Sequence, residues 1–251
     1  MTLTRLFVAL GLSAFLLLLL VTFPAQLVFG QLERLGLQAT GVSGSVWKGQ
    51  AGMLTVGSTP LGQLTWDLDA LKVLTGQASA LVTLRQNNAF ATGHVAAGLT
   101  GKVTVNEFNA SWPLAQLAGA GLPNGWTGMA NVQLSEVVIE GGLPTALTGT
   151  VDLVNLVGPA NRPANLGSYR ATFPAIAASA TAGEGIAADL KDLEGPIEMV
   201  ATLRIERDRS FLIDGQIATR PNAPAQVISA LQYLGEPDAA GRRPFSMSGT
   251  F

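Results

Sequence analysis

The chain has 251 residues, a formal net charge of −2, no cysteine and one histidine, and only 13% of it is Asp, Glu, Lys or Arg. Clustered Lys and Arg are missing, which excludes a nucleic-acid partner, because phosphate binding depends on them. The lack of cysteine excludes disulfides, thiolate metal sites and cysteine nucleophiles, and it leaves the compartment open.

The chain begins with an apolar run, Leu6 to Phe29, broken only by Ser13, Thr22, Pro24 and Gln26. Leu6–Phe23 alone is 18 residues, close to the roughly 20 that a helix needs to cross a bilayer core. A cleavable signal peptide is the competing reading. The run exceeds the roughly 7–15 residues of a signal-peptide core, and Phe23-Pro24-Ala25 puts a bulky side chain where cleavage needs a small one. Residues 1–30 are therefore expected to be a cytoplasmic stub and an uncleaved transmembrane signal anchor. Arg5 and the terminal amine precede the run, while Glu33 and Arg34 after it cancel. This asymmetry predicts a single-pass inner-membrane topology with a cytoplasmic N-terminus and residues 31–251 in the periplasm. Pro24 is expected to mark the helix exit, with a short juxtamembrane helix over Gln31–Gly36.

Beyond Gly41 the pattern changes to strand-length pieces punctuated by Gly, Pro and Asn. Gly44–Ala51 and Met53–Val56 read as two short strands joined at glycines. In Gln63–Leu68, strict alternation puts Leu64, Trp66 and Leu68 on one face, the mark of a sheet buried on one side. Leu68, Leu71 and Leu74 fit one helical turn. Gln77–Gln86 and Phe90–Ala97 read as strands joined at Asn87-Asn88, since Asn tolerates positive φ. Lys102–Phe108 is a further strand, and Asn109–Ala120 takes helical spacing through Trp112, Leu114 and Leu117. Leu122–Trp126 is the clearest punctuation, suggesting halves 41–121 and 125–251.

In the second half, Gly128–Ile139 is expected to align Val132, Leu134 and Val138. Ala146–Leu156 is expected to align Leu147, Gly149, Val151, Leu153 and Asn155. A turn at Pro159–Pro163 and a strand at Ser168–Phe173 follow. Ala175–Ala188 reads as a loop or irregular strand. Ile197–Ile205 and Phe211–Ala218 flank the charged turn Glu206–Arg209. Ala223–Leu234 has a helical period, with Asn222 as N-cap and Gly235 as stop, and Pro244–Phe251 forms a last strand. The fold class is mainly β: a large antiparallel, curved or rolled sheet with a few short helices.

The sequence offers no catalytic, cofactor or metal site. His94 is the sole histidine and no Gly-x-Ser-x-Gly elbow accompanies it, so it reads as a strand histidine. Asp67 and Asp69 lack calcium-loop spacing. The 17 acids are scattered over turns, which gives a paired-carboxylate site little support. Gly141-Gly142 and Gly183-x-Gly185 are not phosphate loops. Trp47, Trp66, Trp112 and Trp126 read as core anchors rather than ligand-stacking platforms.

Four stretches carry a resemblance: Gly41-Val42-Ser43-Gly44-Ser45-Val46-Trp47-Lys48-Gly49-Gln50-Ala51, Leu61-Gly62-Gln63-Leu64-Thr65-Trp66-Asp67-Leu68, Leu166-Gly167-Ser168-Tyr169-Arg170-Ala171, and Leu231–Asp238 with Gly241–Phe245 and Gly249–Phe251. In their order and spacing the chain resembles the type II secretion system protein N family. The resemblance implies a non-enzymatic inner-membrane subunit that supports export of folded proteins from the periplasm and meets other secretion subunits and membrane lipid. It carries over no catalytic residues. A similarity in architecture to periplasmic proteins that roll a sheet into a groove adds the expectation of a possible lipid ligand.

Overall fold

The computed structural model describes residues 7, 11, 12, 18, 21–32, 36–57, 59–98, 100–120, 124–159, 163–175, 185–221 and 223–250. The chain divides into two compact units, Met1–Asn87 and Asn88–Phe251. Among the described residues no helix is long and apolar enough to cross a membrane. Most of Leu6–Val21, where the anchor is expected, lies outside those residues.

The first unit holds helix α1 (Ala25–Leu32), strands β1 (Leu37–Thr40), β2 (Ser43–Gly44), β3 (Lys48–Val56), β4 (Thr59–Leu68) and β5 (Gln77–Gln86), and the single-turn helix α2 (Ala70–Leu74). The strands are antiparallel in the order β1-β3-β4-β5, with β2 also on β3. The expected strand Gly44–Ala51 is broken: Gly44 belongs to β2, residues 45–47 make the return, and Lys48–Ala51 runs on into Met53–Val56 as one strand. The glycine between them sits in a register shift between Ala51 and Leu54, a bulge rather than a turn. Asp69 caps α2 by accepting from the backbone N–H of Leu71 and Lys72 at 3.0 and 3.4 Å. The expected alternation of β4 is present: Leu64 and Trp66 are buried between exposed Gln63, Thr65 and Asp67.

The second unit contains β6 (Ala89–Gly98), β7 (Val103–Pro113), β8 (Thr127–Glu140), β9 (Leu143–Val157), β10 (Asn165–Phe173), β11 (Ile186–Glu194), β12 (Ile197–Ile205), β13 (Ser210–Thr219) and β14 (Arg243–Thr250). Each pairs with the next in an antiparallel meander. Register fixes its faces. Val132, Val151 and Ala171 pair across β8, β9 and β10. Ala188 opposes Leu203, which opposes Ile213 and then Met247. One face is thereby apolar from β7 to β14. On the opposite face stand Asn131, Gln133, Thr150, Asp152, Thr172 and Asp189. Leu134, Phe173, Ile186 and Ala188 form the buried centre of the apolar face.

Three expectations are corrected by pairing. Asn109–Pro113 is strand, not helix, because Asn109 to Pro113 ladder onto Gln133 to Met129. Only Leu114–Ala120 turns, as a 3₁₀ segment. The ladder outweighs the helical spacing of Trp112, Leu114 and Leu117, since propensity yields to tertiary pairing. The stretch Ala175–Ala188, expected as a loop or irregular strand, ends as regular strand, because Ile186 begins β11 and alternates inward with Ala188 and Leu190. Val138 does not share the face of Leu134: a bulge at Ser135 shifts the register, putting Val137 opposite Leu147 on that face.

The last helix, α3 (Ala225–Leu231), starts after Pro224, and the expected cap Asn222 lies outside the described residues. Asn87 has φ 45° in the expected hairpin turn. β7 and β8 pair from Pro113↔Met129 to Val103↔Ile139. The division into units falls at Asn87-Asn88.

Candidate functional site

In the first unit, the end of the N-terminal segment is clamped onto the sheet. The backbone turns helically at Thr22, whose N–H donates to Leu18 O at 2.9 Å, and then leaves the helix. Pro24 forms an isolated bridge with Ser45, and the Val46 N–H donates to Phe23 O at 2.9 Å. Helix α1 follows immediately, earlier than the expected Gln31–Gly36. Its Gln26 side chain donates to Val42 O at 3.1 Å. Ala25 packs with Ala51, Leu54, Leu64 and Trp66, and Phe29 closes over them.

Trp66 is the centre of this junction. Its ring lies 4.9 Å from that of Phe29 at an angle of 42°, and its Nε1–H donates to the Ser45 and Val46 carbonyls at 3.2 and 3.1 Å. The Ser45–Trp47 loop is thus held from one side by the incoming chain and from the other by Trp66. Gly49 is required beneath the indole, because a Cβ there would lie 2.4 Å from Trp66 Cζ2. Gly44, at φ 93°, would place a Cβ 2.6 Å from Lys48 O, so the tight return from β2 to β3 needs glycine.

The second unit contains a polar clamp at one end of its apolar face. Tyr169 opposes Asp192 across β10 and β11. The Asp192 side chain is 8% exposed and pairs with Arg220, which is 34% exposed. Asp192 also accepts from the Met199 N–H at 2.8 Å. The Arg220 guanidinium donates further to Gly195 O and Ile197 O at 2.9 and 3.2 Å. It thereby ties the β11–β12 turn to the chain that enters α3. Val227 and Leu231 of α3 pack on Ile197, with Leu166, Met199, Ile217 and Leu234 around them. An open cleft of about 890 Å³ runs beside the helix, lined by Leu166, Ile197, Val227, Leu231 and Tyr233.

Tyr169 donates to Leu166 O at 2.6 Å. Burial, then the negative charge of Asp192, pushes its phenol from the ordinary 10.0 up to about 12, against a smaller lowering by Arg220. Linkage fixes the sign. The unfolded chain releases this proton near pH 10.0 and the folded chain keeps it to about pH 12. The contribution to stability is intact below the first value and declines between the two. Tyr169→Phe is expected to flatten that decline and to lower stability by about 1 kcal/mol at neutral pH through loss of the Leu166 bond. Urea midpoints measured at neutral and alkaline pH check both effects.

The residues weighed for chemistry are dispersed. His94 lies half-exposed on β6, 3.4 Å from Glu107. Asp67 pairs with Lys48 at 2.9 Å on the exposed face, while Asp69 serves as the α2 cap. Trp66 and Trp112 are buried; Trp47 and Trp126 are half-buried. No group of three or more His, Asp or Glu among the described residues is placed to hold a metal ion. Asp192 and Arg220 escaped the sequence reading. The signal was there: Asp192 interrupts the alternation Ile186, Ala188, Leu190 on a buried face, where a carboxylate requires a partner.

The family description "Type II secretion system (T2SS), protein N" matches residues 35–246. The chain belongs to the type II secretion system protein N family. It is 29% identical over 252 aligned positions to the type II secretion system protein N of Aeromonas hydrophila, covering 96% of each chain. To the protein of the same name from Vibrio cholerae serotype O1 it is 26% identical over 238 positions, covering 91% of each. No solved structure matches. The matched span takes in β1 to β14 except the last residues of β14.

Proposed function

We propose that the chain is a non-enzymatic component of the type II secretion system, anchored in the inner membrane by its N-terminal apolar segment. Its β-rich units would lie in the periplasm, where they meet other secretion subunits and support export of folded proteins. The observation that carries this reading is the clamp around Trp66. An apolar run leads without a spacer into α1, and α1 is built into the core of the first unit. A segment removed by cleavage near Ala25 would take with it part of that core, so the fold favours retention. The acids and the histidine weighed for chemistry sit in ion pairs and a helix cap: Asp67 with Lys48, His94 beside Glu107, and Asp69 at the start of α2.

A second reading is a carrier of lipid or another hydrophobic ligand. It is favoured by the apolar face from β7 to β14, over which α3 is packed at one end only among the described residues. One deletion strain separates the two. In cells that depend on this pathway, loss of the chain is expected to leave secreted enzymes inside the envelope while growth and detergent resistance stay normal. Normal secretion with a detergent-sensitive envelope would favour the second reading instead.

A further inference from the structure

Strand β14 closes the second unit's sheet on one side. It pairs with β13 from Ile217↔Arg243 to Ser210↔Thr250 without a register shift, and no described strand lies on its other side. Such an edge offers a row of N–H and C=O groups to any incoming strand. Edges are usually guarded by charge, proline, a bulge or brevity. Here Pro244 stands near the start, and from there to Thr250 there is no charge and no bulge. The edge strand of the first unit differs: β1 has four residues, Leu37–Thr40, and is followed by Gly41 at φ 66°.

The residues of β14 are arranged symmetrically about Met247. Ser246 and Ser248 flank it, Phe245 and Gly249 come next, then Pro244 and Thr250. If the strand is laid antiparallel on a second copy with Met247 at the two-fold, Ser246 meets Ser248 of the other chain on the polar face, where hydroxyls can bond across strands. Phe245 meets Gly249 on the apolar face, beside the Phe211 ring that already lies over that glycine, 2.7 Å from where a Cβ would stand. Arg243 falls beyond the paired stretch, so no like charges oppose. Met247, 52% exposed on the otherwise buried or half-buried apolar face, becomes covered.

We propose that β14 is a self-pairing edge by which two copies of this chain join about a two-fold axis at Met247, carrying the apolar face across both. Pairing of β14 with β1 of another copy would match only four residues and would not close, whereas the two-fold contact closes on itself.

The absence of native cysteine makes a direct test possible in the full chain in its own membranes. Under mild oxidation M247C is expected to give a disulfide-linked species of twice the chain mass, and Q38C on β1 is expected to give none. Co-expressed S246C and S248C are expected to link to each other at least fivefold more than either links alone. The proposal is overturned if M247C gives no linked dimer, if Q38C links as well as M247C, if the 246/248 mixture shows no gain, or if the linked species has another mass. M247K, with two ammonium groups brought together at the axis, is expected to reduce the two-chain form of the otherwise native protein in gentle detergent at least tenfold, with an unchanged thermal midpoint. Persistence of that form likewise overturns the proposal.

Discussion

Replacing Trp66 by alanine is expected to destabilise the first unit by about 3–5 kcal/mol, the range for deleting a large aromatic from a core. The side chain carries three loads at once. It is 9% exposed and fills the space between β4 and α1. It stacks obliquely on Phe29, and its N–H supplies the donor for Ser45 O and Val46 O. Alanine leaves a cavity beneath α1 and takes the shared donor from two carbonyls. Trp66→Phe separates these contributions. It keeps an apolar ring over Gly49 and under Phe29, so its cost is expected to be smaller, about 1–2 kcal/mol, mainly the lost hydrogen bonds. Thermal unfolding followed by far-UV circular dichroism measures both, and proteolysis reports release of α1. An alanine variant within about 1 kcal/mol of the native chain would show that Trp66 is not what holds α1 to the sheet.

The difference between what the sequence discloses and what it hides follows from the range of the interactions involved. Leu64 and Trp66 announce their face by alternation, and Asn87 its turn by chemistry, because both signals are local. The span Gln77–Gln86 matches β5 residue for residue. Asn109–Pro113 misleads because its spacing suits a helix, while its pairing partner lies about twenty residues downstream in β8. β11 is hidden for the opposite reason: Ile186-Ala187-Ala188-Asp189 is too short and too small to stand out beside an Ala- and Gly-rich approach. The Trp66 junction was half legible. The Gly44–Gly49 motif was visible in the sequence, but its purpose depends on a β4 indole some twenty residues later. Asp192 and Arg220 lie 28 positions apart, and only a register connecting three strands, β11 to β13, brings them together.

The sheet of the second unit is expected to be strongly sensitive at Gly149. This residue opposes Leu134, next to the bulge at Ser135, and has φ +137°. A Cβ there would lie 2.2 Å from Gln133 O and 2.6 Å from Leu134 Cα. Both obstacles are backbone atoms of the paired strand, so no rotamer change relieves them. Gly149→Ala must either part β8 from β9 or move the bulge, and moving the bulge would turn Leu134 or Val137 out of the apolar face. The expected cost is about 3–5 kcal/mol, at the severe end for single substitutions. Gly142→Ala is the control. Its φ of +80° is also in the left-handed region, but a Cβ meets nothing within 4 Å, so only the backbone term of about 1–2 kcal/mol applies. Equal losses in the two variants, measured by urea denaturation, would mean that backbone conformation alone explains Gly149. A loss at Gly149 at least twice that at Gly142 would identify close contact between β8 and β9 as the cause. Because the bulge sets which residues of β8 face Phe173 and Ile186, the same variant is expected to expose the apolar face and bind a hydrophobic dye before global unfolding.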